Sequence, residues 1–108
     1  MATQISLKVA GVTFEGRQLI LKALYEAKAK PEVRLIQEPT NPYDSNAVKV
    51  EYNVSGDWKH VGYIEKKVSE EVTKSLQDGS IEKVEFEQIA PVASKQVLWT
   101  SVILTGKA

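Results

Sequence analysis

The stretch that most constrains this chain runs from Asn46 to Ile64. Val48, Val50, Tyr52 and Val54 alternate with Ala47, Lys49, Glu51 and Asn53, the period-two pattern of a strand whose two faces meet different surroundings. Ser55-Gly56-Asp57 is a turn signal, and Trp58 to Ile64 reads as the returning strand of a hairpin. Gly62 inside that strand predicts a bulge or a close backbone approach. An antiparallel pair in mid-chain rules out a doubly wound parallel sheet and points to short strands joined by hairpins.

The flanking segments extend this pattern. Ile5, Leu7 and Val9 alternate with polar residues up to Gly11 and predict a first strand. Arg17 to Lys28 consists of good helix formers, with Ile20, Ala23, Leu24 and Ala27 at helical spacing as the expected apolar face and Pro31 as the stop. Glu32 to Gln37 predicts a second strand, ended by Pro39. Val68, Val72 and Leu76 mark a second helix, with Gly79 placed to cap its C-terminus. Ile81–Ile89 and Val97–Thr105 predict two last strands joined around Pro91. The order is β-α-β-β-β-α-β-β. This is a β-rich α+β domain, a small six-stranded, partly open barrel of OB-like form with two short helices. With no repeat, linker or low-complexity stretch, residues 1–108 are expected to form one domain.

The composition excludes several classes. There are no cysteines, so disulfides, thiolate nucleophiles and Cys-ligated metal sites are ruled out. No apolar run approaches the roughly 20 residues of a membrane span, and the opening residues lack the pattern of a secretion signal, so no membrane partner is implied and a cytoplasmic location is expected. Fourteen basic residues balance 14 acidic ones. Proteins that coat long stretches of nucleic acid are visibly basic, so any nucleic-acid footprint here is expected to be small, an end or a few nucleotides.

Catalytic and metal motifs are absent too. His60 is the single histidine and falls in a strand, with no G-x-S-x-G elsewhere. Asp44-Ser45-Asn46 opens like a calcium loop, but the sixth position is Lys49 and the twelfth Ser55, where glycine and glutamate are needed. Glu70 and Glu71 read as a solvated helix face. No phosphate-cradling glycine loop occurs. The chain reads as a non-enzyme with no cofactor. Trp58 and Trp99 are expected in the core.

The segment Glu38 to Val50, EPTNPYDSNAVKV, joins dense turn chemistry to the start of a strand. Pro42 fixes its own φ and pushes Asn41 toward an extended conformation, which stiffens the presentation of Tyr43 and Asp44. Tyr43 offers a flat ring on which a base can stack. Asp44, when ionised, only accepts hydrogen bonds, so it suits a free hydroxyl and repels a phosphate. Asn41 and Asp44 also fit the bland role of bonding their own backbone in turns.

Three blocks together, Val9–Gln18 (VAGVTFEGRQ), Leu35–Val50 and His60–Val72 (HVGYIEKKVSEEV), resemble the HIRAN domain in order and spacing. HIRAN domains are similar to OB barrels. They occur at the N-terminus of fork-remodelling helicases and as stand-alone bacterial and phage proteins; in the remodellers they bind a single-stranded DNA end and recognise its 3′-hydroxyl. The resemblance implies a module for DNA repair or replication that binds a single-stranded 3′ end, with a DNA-processing protein as a further partner. It also implies site positions: Asn41 and Tyr43 at the terminal nucleotides, Phe14 as a second stacking surface and Lys66 at a phosphate. Apart from the resemblance, Arg17, three residues beyond Phe14, is a candidate for a further charge, and Tyr63 is a further candidate contact.

This chain departs from the remodellers at three positions. Thr13 stands where they carry arginine, Tyr63 where they carry histidine, and an aromatic is replaced near Val92. These changes imply weaker end binding or a shifted ligand. They also leave a protein-interaction or adaptor role on the same barrel as the alternative.

Overall fold

A computed structural model describes residues 3–14, 16–92 and 97–107. The mid-chain hairpin consists of β3 (Ala47–Val54) and β4 (Asp57–Ile64). Its two-residue loop has positive φ at both Ser55 and Gly56, the mirror-image turn whose twist matches a hairpin, and the Gly56 N–H donates to Asn53 Oδ1 at 2.8 Å. The other strands are β1 (Gln4–Ala10), β2 (Val33–Glu38), β5 (Ile81–Pro91) and β6 (Leu98–Gly106), with helices α1 (Arg17–Glu26) and α2 (Lys66–Gln77). Element order and type follow the sequence pattern throughout.

All six strands lie in one antiparallel sheet, ordered β2-β3-β4-β1-β6-β5. The edge strands β2 and β5 approach each other without a ladder, so the barrel is partly open. Its interior holds Leu7, Val9, Val48, Val50, Tyr52, Val61, Val102 and Leu104, capped by Leu21 and Leu24 of α1 and Val72 of α2. Tyr52 is fully buried. It shares a 2.6 Å hydrogen bond with Thr100 Oγ1 and meets Phe86 edge-on, and burial pushes its hydroxyl up to about 12.

Several expectations need correction. The buried face of α1 is Arg17, Leu21 and Leu24, while Ala23 and Ala27 are exposed; the true stripe lies one residue round from the expected one. The helix also stops at Glu26, before Pro31. Lys28 takes a left-handed conformation, its N–H reaches Tyr25 O, and the Ala29 N–H reaches Leu24 O, which closes a Schellman motif. Gly79 closes α2 in the same way, with Ser80 N–H on Ser75 O. Trp58 and Trp99 are half-buried on the outer face rather than in the core. Each has a cation over its ring, Arg34 at 4.4 Å and Lys8 at 5.2 Å. Glu51 faces outward yet is buried, because Arg34 Nε lies 2.6 Å and Lys49 Nζ 3.4 Å from its carboxylate.

Gly62 marks both a bulge and a close approach. The β3–β4 register shifts beside it, and a Cβ there would lie 2.3 Å from the Ala10 carbonyl oxygen.

Candidate functional site

The link between β2 and β3 is two consecutive turns held by side chains. Asn41 N–H donates to Glu38 O, and Ala47 N–H to Asp44 O, both at 3.0 Å. Between them, Asn41 Oδ1 accepts from the N–H groups of Tyr43 (2.9 Å) and Asp44 (3.1 Å). Asp44 Oδ1 accepts from Asn46 N–H at 2.9 Å. The bland turn role of both residues is therefore present. Two hydroxyls one turn apart on α2 then fasten this loop: Ser69 Oγ donates to Asp44 Oδ2 (2.8 Å) and Thr73 Oγ1 to Asn46 O (2.9 Å).

Polar residues occupied in this way leave one ring outside. Tyr43 is 87% exposed, and its backbone N–H is held by Asn41 Oδ1. Asp44 remains available as well, since each carboxylate oxygen can accept more than one bond. The Asn46 N–H, the Ser69 hydroxyl and the charge of Lys66 hold its carboxyl below the usual range, so it is anionic at neutral pH.

Beneath the loop lies an open groove of about 830 Å³. Asn41, Tyr43, Asp44, Tyr63, Lys66 and Arg17 all border it, together with Ala10, Gly11 and Glu38. Lys66 is the first residue of α2, whereas the neighbouring Lys67 turns to Glu65 at 3.7 Å. Arg17, whose place the sequence could not supply, is the first residue of α1 and only 7% exposed. Its Nη1 donates to Gly11 O at 2.6 Å, and its guanidinium lies 5.7 Å from the Tyr63 ring and 5.9 Å from the Phe14 ring. Phe14 is exposed and stands outside the groove wall, joined to it through Arg17. Thr13 is exposed, and Val92 N–H donates to Val97 O at 2.8 Å.

Sequence reasoning missed Glu38. Its Oε1 accepts from Asn41 Nδ2 (3.1 Å) and Tyr63 Oη (2.8 Å), which ties the loop to β4. Burial pushes its carboxyl up, but those two bonds and the charges of Lys49 and His60 outweigh burial and hold it low. Its place at the head of the E-P-x-N-P block was the available signal. Ser69 and Thr73, four residues apart on α2, were missed too, and no sequence signal marks them. Among the described residues no cluster of three metal-ligating side chains occurs, and no helix is long and apolar enough to cross a membrane.

A model of the HIRAN domain matches residues 4–103. No curated protein matches the chain. Two crystal structures are similar in fold. A protein from Lactobacillus plantarum has a TM-score of 0.62 at 19% identity, over 99% of this chain and 98% of that one. The HIRAN domain of human HLTF has a TM-score of 0.61 at 19% identity, over 96% of this chain and 76% of that one.

Proposed function

The chain belongs to the HIRAN domain family, a family of DNA-binding modules, and from that premise we propose that it binds the free 3′ end of single-stranded DNA in the groove under the Asn41–Asp44 loop. One observation carries the reading: a fully presented ring, an anionic acceptor and two cations, Tyr43, Asp44, Arg17 and Lys66, border one groove. Tyr43 stacks on a terminal base. Asp44 accepts from the 3′-hydroxyl and repels a 3′-phosphate. Lys66 meets the backbone, Asn41 fixes the loop and contacts the terminal nucleotide, and Arg17 steadies Phe14 and Tyr63 as flanking surfaces. Residues 1–108 act as one domain, without catalysis, beside a DNA-processing partner in repair or replication in the cytoplasm.

The test is a titration of labelled oligonucleotides at low salt. Affinity is expected to fall from a 3′-hydroxyl to a 3′-phosphate to a circular strand, with Tyr43→Ala and Asp44→Ala as controls. Equal affinity for all three refutes end recognition. Two or three phosphate contacts give a shallow log–log salt slope, about −1.4 to −2.1.

A second reading, a peptide-binding adaptor on the same barrel, draws support from the internal use of Asn41 and Asp44 as turn acceptors. Absence of oligonucleotide binding by the intact chain would favour it.

A further inference from the structure

The outward face of the sheet beside the groove differs on its two sides. Ala10, on the groove wall, stands opposite Tyr63 across the β1–β4 ladder, and paired residues of an antiparallel ladder share a face. Lys8, two residues back along β1, points the same way. Lys8 pairs with Ser101 on β6, where the β1–β6 ladder ends, and Trp99, two residues back from Ser101 along β6, lies on that face too, diagonal to Lys8. The Lys8 ammonium lies 5.2 Å from the Trp99 ring centroid. Tyr63, Ala10, Lys8 and Trp99 thus share one outward face across three neighbouring strands.

Charge decides which way a polyanion can leave the groove. Toward β2 the cations are matched by acids: Lys49 lies 3.4 Å from Glu51 and 3.9 Å from Glu38, and Arg34 lies 2.6 Å from Glu51. Among the described residues Lys8 pairs with no carboxylate. Beyond Lys8, Glu87 is kept ionised by the hydroxyls of Ser101 and Ser6 and closes the path. The strand end that carries Trp99 is also fixed to the groove. Gln18 donates to Leu98 O and accepts from Leu98 N–H, both at 2.8 Å, next to Arg17 at the start of α1.

We propose that the strand leaving the groove on its 5′ side crosses Ala10, stacks a base on Trp99 and sets the adjoining phosphate against Lys8. This rests on the reading that the groove holds a single-stranded 3′ end, and it gives that strand a direction, toward β6. The experiment compares 3′-hydroxyl oligothymidylates of about two, four and eight nucleotides, bracketing the smallest footprint of one OB fold. Trp99→Ala is expected to weaken the longest by about 5- to 150-fold, the worth of one stacked base, and to leave the shortest unchanged. Lys8→Gln, an exposed change that spares the fold, weakens the longer ones alone and flattens their salt dependence. In a Trp58→Phe protein the remaining indole fluorescence is quenched by the longer oligonucleotides only. Equal losses at all lengths, or no loss with Trp99→Ala and Lys8→Gln, overturn the track. If Tyr43→Ala weakens binding while these two variants do nothing, the groove stands and the track falls. If Tyr43→Ala and the 3′ chemistry are without effect while Trp99→Ala still matters, the groove reading falls and Trp99 is a separate stacking site, which overturns the track too. A wild-type chain that binds none of the oligonucleotides overturns both.

Discussion

Replacing Gly62 with alanine tests how the groove is built. Gly62 has φ of +156° and lies where β4 passes β1. A Cβ there would stand 2.3 Å from Ala10 O and 2.6 Å from Val9 Cγ1. The nearer obstacle is backbone, which has no rotamer to change, so β1 must move away from β4. Forcing atoms into such a contact costs about 1–3 kcal/mol, and a left-handed backbone with a Cβ adds about 1–2 kcal/mol. The sum, about 2–5 kcal/mol, is a large part of the roughly 5–15 kcal/mol that holds a domain together. Gly56→Ala isolates the second part, since φ there is +93° with nothing within 4 Å. Urea melts of both variants measure the difference as a shift in midpoint at constant slope. In heat the Gly62 variant is expected to lose a further 4–8 °C, roughly, for each additional kcal/mol. Ala10 and Tyr63 both border the groove, so oligonucleotide affinity should fall in the protein that still folds. A Gly62→Ala protein no less stable than Gly56→Ala would refute the close crossing.

Ser69→Ala removes the bond from α2 to Asp44 and should reduce stability by about 1 kcal/mol; hydrogen exchange at Asn46 should rise, and unchanged exchange would show that the brace does not hold the loop. Lys28→Gly relieves a left-handed residue that ends α1; the roughly 1–2 kcal/mol relieved, less the roughly 0.5–1 kcal/mol of chain freedom that glycine adds, should leave the protein about 0.5–1 kcal/mol more stable, read by thermal melting; a loss of stability would sink the Schellman assignment. Glu38 has a lowered folded-state pKa, so its contribution is fully present above the unfolded value of about 4.3 and is lost as pH falls through the folded one. Glu38→Gln should therefore flatten the acid limb of a urea-midpoint profile below about pH 4.3, and an identical profile would remove Glu38 as the link between loop and β4.

The sheet was legible because its signals are local. Alternation over Ala47–Val54, the Ser-Gly turn and glycine at position 62 each encode backbone geometry within a few residues. The apolar face of α1 was misread because Arg17 belongs to the buried side. A guanidinium is not counted as apolar, yet here it reaches Gly11 O and lies beside two rings. The tryptophans were misplaced for a related reason. Large rings on strands are usually interior, but a cation over each face lets them lie half-buried on the outside. Ser69 and Thr73 left no mark, since a hydroxyl that holds a loop 25 or 27 residues away is indistinguishable in sequence from one facing water.

The choice between turn residue and ligand residue dissolves for Asn41 and Asp44 once lone pairs are counted. Asn41 spends Oδ1 on two backbone N–H groups and Nδ2 on Glu38, so its share in any ligand is chiefly to hold the loop. Asp44 spends one acceptor position on each oxygen and keeps the others, while the same bonds keep it ionised. The bonds that make it structural thus also make it an acceptor-only group. Tyr43 needs neither duty, and its ring is left exposed. With Arg17 and Lys66 balanced on the groove wall by Glu38 and Asp44, charge alone gives a strand little reason to stay. On the proposed reading, affinity rests on stacked rings and on the chemistry of the end more than on net charge. A neutral chain with a stiff loop is therefore suited to recognising a terminus, whereas a strand-coating protein would need the basic excess this chain lacks.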